Sequence, residues 1–278
     1  MLDVGFRIAD FGLLMLDFQS ISPISSIPLN PSCKSTKKSK GSKKQYSELN
    51  DEISYFYALI FTGMKKFAII LAGCGVYDGA EIHEAVMTMY AIVKNGAEYQ
   101  LFAPDIAQHH VVNHLTGAEM PETRNVLVES ARIARGKIKP LTELTMRDFD
   151  GLVFPGGFGV AKNLCNYAFK GAECTVNSDI SNVIREAITL RKPIGALCIS
   201  PVLLAKILGE VTITVGPDKE DAANVLAMGA NHVVTKPGDV IIDEKHRIFT
   251  TPCYQLSSTI VQIAEGADNI VKAMLKVM

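Results

Sequence analysis

The chain has 278 residues, 48% of them hydrophobic and 21% charged. That is enough apolar material for one large or two small cores. A formal net charge of -1 removes the electrostatic case for a nucleic-acid partner. No apolar run reaches membrane-span length, since stretches such as residues 55–61 are far too short.

Residues 1–63 read differently from the rest. A Ser/Pro-rich stretch is followed by Lys34, Lys37, Lys38, Lys40, Lys43 and Lys44, with neither helical period nor strand alternation, as expected of a low-order basic extension. The opening residues lack a secretory pattern. Asp3, Asp10 and Asp17 argue against a mitochondrial transit peptide. The working domain is expected to span residues 64–278. The cysteines at positions 33, 74, 165, 174, 198 and 253 show no short metal-type spacing. In a chain with a real core they point to a reducing compartment, hence to a cytoplasmic protein.

From Met64 the pattern is regular. Residues 66–72 form a continuous apolar strand, and a glycine-bearing loop at 73–79 leads into a helix at about 80–95 closed by Gly96. Residues 98–103 read as a strand, 125–134 as a helix, 151–155 as a buried strand and 178–190 as an amphipathic helix. A strand at 193–197 and a helix at 201–208 bracket Cys198. Beyond them come a strand at 211–215, a helix at 218–228, a hairpin-like pair at 240–243 and 247–251, and a closing helix from Tyr254 to about Val277. Apolar strands alternating with helices imply a mostly parallel sheet covered on both faces, with ligand chemistry at the carboxyl ends of its strands.

Cys198 is the most informative residue. It stands between a strand end and a helix that opens with Pro201, where a missing N–H costs nothing. Such a turn is a nucleophile elbow, expected to push the side chain into the open. The free N–H groups and positive dipole of the following helix favour thiolate over thiol. Two other strand ends supply partners. Glu84 lies in the first turn of the 80–95 helix and can face the sheet edge as a proton carrier, although a first-turn glutamate also serves as a dipole partner. Gly156 and Gly157 follow the buried 151–155 strand and permit the close approach and free N–H groups an oxyanion hole needs; a plain tight turn is the simpler alternative.

These motifs carry a family resemblance. The segment from Gly73 to Glu84 (GCGVYDGAEIHE), residues 102–105 (FAPD), 129–136 (ESARIARG), 154–159 (FPGGFG) and 198–201 (CISP) occur in the same order as in the ElbB glyoxalase family. That family belongs to the PfpI-like superfamily, which has the flavodoxin-like, doubly wound α/β fold of class I glutamine amidotransferases. The resemblance implies Cys198 as nucleophile, Glu84 as its carboxyl partner, and the amides of Gly157 and Ile199, beside Gly156, as oxyanion donors. It implies no cofactor and no metal. Two departures narrow the activity. The stretch 248–254 lacks the His and Glu that complete an amidotransferase triad, and 214–218 lacks the His of the deglycase and protease branch. Expulsion of an amine is therefore disfavoured, whereas thiol addition to an aldehyde expels nothing. The implied function is a cofactor-free glyoxalase converting glyoxal to glycolate. The alternatives are a redox-sensing or stress-related binding protein using the same cysteine, and a protein deglycase. A small aldehyde is the expected partner, with neither nucleic acid nor membrane. Relatives in the superfamily tend to dimerise, and the closing helix offers a face.

Other residues are weighed lower. His110 and His114 have helical metal spacing but no third ligand in the pattern, and His109 reads as a loop histidine. Cys74 reads as a small structural residue that could pair with Cys198 on oxidation. His83, beside Glu84, is a candidate for pocket polarity. His232 and His246 read as structural or solvated, and the 135–140 segment as an exposed insertion.

Overall fold

A computed structural model describes residues 63–278. Apart from Gly63, the extension read at 1–63 lies outside the described residues.

Seven strands form one sheet. They are β1 (Lys66–Ile70), β2 (Glu98–Ala103), β5 (Ile138–Pro140), β6 (Gly151–Phe154), β7 (Ile194–Leu197), β10 (Ile241–Asp243) and β11 (Ile248–Thr251), and they lie in the order β10-β11-β7-β6-β1-β2-β5. Every pairing is parallel except β10 with β11. Val111–Val112 (β3) and Glu119–Met120 (β4) form a small antiparallel ladder, and Thr212–Ile213 (β8) and Asn231–His232 (β9) a small parallel one. The helices are α1 (Ile82–Lys94), α2 (Val126–Ile133), α3 (Tyr167–Lys170), α4 (Ser178–Thr189), α5 (Pro201–Leu208), α6 (Lys219–Ala227) and α7 (Ile260–Leu275).

All four residues of β6, β7 and β11 are buried, as expected of strands covered on both faces. Crossover handedness explains the two layers. The connection from β1 through α1 to β2 steps one way along the sheet, and that from β6 through α4 to β7 steps the other way. Right-handed crossovers then put α1 and α4 on opposite faces. Helix α7 packs along α1 and against β7 and β11. Asp268 ties the two helices: burial raises its carboxyl, but hydrogen bonds from Lys272, Asn95 and Lys94 outweigh that and hold it at about 2. The strand order reverses between β1 and β6, which opens a crevice at their carboxyl ends.

The doubly wound fold expected from the sequence is the observed one. Three local readings are corrected. The closing helix begins at Ile260 rather than Tyr254, because Thr259 and Gln262 form a reciprocal capping box there and residues 253–255 make a separate 3₁₀ turn. The 135–140 insertion contains the edge strand β5, paired with β2. The 211–215 strand is short and pairs with β9, outside the main sheet.

Candidate active site

Three strand ends converge on Cys198. It follows β7 directly with φ +60, a left-handed conformation that costs a non-glycine residue on the order of 1–3 kcal/mol and persists only where the surroundings enforce it. The enforcement is visible. Cys198 N–H donates to Thr251 O at the end of β11 (2.9 Å), and Ser200 Oγ donates to Pro155 O beyond β6 (2.8 Å). Pro201 opens α5 as anticipated.

Glu84 reaches the same point from the first turn of α1. Glu81 caps that helix by accepting from Glu84 N–H at 2.7 Å, which fixes the rotation at which Glu84 faces the sheet edge. The Glu84 side chain is fully buried. Its Oε2 accepts from Gly156 N–H (2.9 Å) and its Oε1 from Tyr254 N–H (3.3 Å), and the Cys198 thiol lies beside it across Gly156. The N–H groups of Gly157 and Ile199 approach the Cys198 sulfur. The structure thus brings together all five residues singled out in the sequence: Cys198, Glu84, Gly156, Gly157 and Ile199.

Gly156 is the hinge of this arrangement. A side-chain carbon there would collide with Cys198 Cβ and stand 2.5 Å from Glu84 Oε2 and 3.0 Å from Cys198 Sγ. Gly157 has φ +102 and packs on the backbone of Gly79, Ala80 and Glu81. Gly156→Ala is therefore expected to drive thiol and carboxyl apart. Displacements near 1 Å cost catalysis on the order of a hundredfold. Turnover measured alongside the circular dichroism spectrum checks this, and an unchanged spectrum with wild-type turnover would contradict it.

The electrostatics differ from the sequence expectation. Cys198 is only 7% exposed, not displayed to solvent. Burial, and then the Glu84 charge, push its thiol well above the ordinary range against the pull of the Gly157 and Ile199 amides. Burial, and then Glu81, raise Glu84 to about 8. The helix terminus does not ionise the sulfur at neutral pH. A low-polarity surround penalises either charge more than the dipole rewards it, and the two groups titrate as a pair.

Sequence reading missed the contribution from beyond β11. Cys253 is buried, with φ +46 and a thiol raised by burial and then by Glu84 and Cys198. Tyr254 supplies the second N–H to Glu84, and its phenol meets His83 Nδ1 at 2.9 Å. That stretch lacks the side chains of a triad, and its role rests on a backbone group, which leaves no mark in composition. The other residues weighed earlier lie elsewhere. Cys74 sits half-buried near Glu129, Arg132 and Asp78, its thiol raised by burial. His110 meets Lys162 (2.9 Å), His114 meets Val112 O (3.0 Å), and His109 stacks on Phe169. His246 bonds Asp243, and His232 lies in β9. Among the described residues no group of three or more His, Cys, Asp or Glu side chains is placed to hold a metal ion, and no helix is long and apolar enough to cross a membrane. A cavity of about 960 Å³ opens beside the elbow, bordered by Ile199, Gln255, Phe158, Tyr167 and Lys162.

No family model matches the chain. A human protein, glutamine amidotransferase-like class 1 domain-containing protein 3, mitochondrial, is 42% identical over 221 residues, which cover 76% of this chain and 82% of that protein. The mitochondrial ES1 protein of Danio rerio is 32% identical over 233 residues, covering 77% and 86%. A crystal structure of an isoprenoid biosynthesis protein with amidotransferase-like domain from Ehrlichia chaffeensis superposes with a TM-score of 0.72 at 35% identity, covering 77% of this chain and all of its own. These findings overturn the cytoplasmic expectation, because the matching human, rat and zebrafish proteins are all named as mitochondrial. Reduced cysteines report a reducing environment, which does not single out one compartment. With the Cys198 elbow, the Gly156–Gly157 turn and these relatives in agreement, the chain belongs to the ES1 family of glutamine amidotransferase-like class 1 domain proteins.

Proposed function

We propose that the domain at residues 64–278 is a cofactor-free thiol glyoxalase acting on small 2-oxoaldehydes, with Cys198 as nucleophile and Glu84 as proton carrier. One observation carries the reading. A buried carboxyl raised to about 8 and a buried thiol meet at Gly156, both within 3.0 Å of where a side-chain carbon would stand there, so a single proton can pass between them and on to a substrate oxygen.

The reactive form is the pair holding one proton. The sulfur lone pair attacks the aldehyde carbon, and an S–C bond forms. The C=O π electrons move to oxygen, which takes the proton from Glu84 and gives a hemithioacetal. The Gly157 and Ile199 N–H groups serve the oxygen as its charge develops. The Glu84 carboxylate then removes the hydrogen on the sulfur-bearing carbon and returns it to the neighbouring carbon, while the hydroxyl proton passes to the second oxygen. The product of this shift is a thioester of glycolic acid. Water adds to it, giving one proton to Glu84 and its hydroxyl to the acyl carbon; the C–S bond breaks and the one-proton pair is restored. Glyoxal and one water become glycolic acid.

The test is product analysis by NMR with glyoxal, methylglyoxal and glutamine. Glycolate formed over many cycles by reduced protein supports the enzyme. A single stoichiometric modification of Cys198 would replace it with a sensor. The deglycase alternative, in which the carbonyl adduct of an amino-acid side chain is the substrate, uses the same thiol. A glycated peptide therefore belongs in the same panel. We further place the protein in the mitochondrion, as its relatives' names suggest.

A further inference from the structure

Glu84 owes one of its two backbone hydrogen bonds to Tyr254, a half-buried residue packed against the core. Tyr254 lies in the short 3₁₀ turn at 253–255, directly after Cys253 and its left-handed backbone. Its N–H reaches Glu84 Oε1 at 3.3 Å, the longer of the two bonds on that carboxyl. Its ring leaves the turn toward α1, where the hydroxyl meets His83 Nδ1 at 2.9 Å with ring centroids 5.9 Å apart. Successive residues of a helix point about 100° apart. His83 and Glu84 therefore leave α1 in different directions, and Tyr254 bridges them with its two ends. The imidazole is half-exposed, so the line runs from solvent to the buried acid.

We propose that His83 is a positioning residue for Glu84: by holding the Tyr254 hydroxyl it keeps the Tyr254 N–H on the carboxyl and sets the pH at which the Cys198–Glu84 pair gives up its first proton. The inference rests on Glu84 as the proton carrier of the proposed reaction. An N–H donated to a carboxylate stabilises the charged form, and the Tyr254 bond does pull Glu84 down from where burial and Glu81 would leave it. Loss of that bond must move the titration upward. The other groups facing this carboxyl are the Glu81 carboxylate on α1, the Cys198 thiol of the elbow, and the Cys253 thiol beyond β11. Of these, Glu81 also stands 3.9 Å from His83 Nδ1, so a change at His83 reaches Glu84 by two routes, whereas Tyr254→Phe leaves His83 and Glu81 in place.

The experiment is an infrared titration of the full chain, following the protonated-carboxyl band that Glu84→Gln removes. Its midpoint is expected near 8 in the unsubstituted protein. In His83→Phe and in Tyr254→Phe, which keep a ring and lose one partner, it should rise by about half a pH unit or more. His83→Gln, which can still accept from the phenol, should restore it. The rise of glyoxal turnover with pH should shift by the same amount. An unshifted midpoint in Tyr254→Phe would overturn the proposal. A shifted band in protein that never consumes glyoxal would instead uphold the positioning role and sink the glyoxalase reading.

Discussion

Replacing Cys198 with alanine is expected to abolish oxoaldehyde turnover, lowering kcat by at least about a thousandfold, the scale seen when a covalent nucleophile is removed. The remaining groups, Glu84 and the Gly157 and Ile199 amides, still polarise a carbonyl, but no atom is left to form the S–C bond. The fold should survive, since alanine fits a 7% exposed position and the backbone bond from residue 198 to Thr251 O is kept. The cost falls on φ +60, which alanine tolerates no better than cysteine, so stability should change by no more than about 1 kcal/mol. Disappearance of glyoxal over hours, with the thermal midpoint alongside, decides the matter. Substantial turnover by a folded Cys198→Ala protein would end the thiol mechanism.

Glu84→Gln should cost nearly as much, about a hundredfold to ten-thousandfold, the span associated with a positioned acid–base group. The pH dependence distinguishes this carboxyl from a mere structural neighbour. Both groups of the pair are raised, Glu84 to about 8. Below that value the pair holds two protons and the sulfur is a poor nucleophile. As pH rises through about 8 one proton leaves, and the remaining one is shared between sulfur and carboxyl. Turnover should therefore increase through this range. At pH 7, below that midpoint, the two-proton form dominates and the reactive form is the minority. Glu84→Gln should lose the rise centred near 8, because the amide cannot titrate. A profile already flat from pH 6 in the unsubstituted protein would mean that the sulfur ionises at low pH and that burial does not govern it.

Much of this was legible in the residues. Pro201 after Cys198, and glycines after a buried strand, are local signals of turns with one function, and each of the three turns marked in the sequence falls at the sheet edge. Strand order is not local. Nothing in the run from Ile248 to Tyr254 announces that it lies beside β7, so the N–H of Tyr254 and its bond to Glu84 could not be anticipated. The ionisation state failed for a related reason. A helix terminus is visible in sequence, but the depth at which a thiol lies depends on every element packed above it. Compartment was misjudged because it is set by receptors that read an address, not by core composition.

The two backbone bonds on the Glu84 carboxyl join residues 72 and 170 positions apart along the chain. Contacts of such long separation are among the last to form in a folding chain. In a refolding experiment activity should consequently lag behind the return of helical signal, since nothing short of the finished sheet brings all the parts together. The reaction would then double as a gauge of whether the polypeptide has reached its end state.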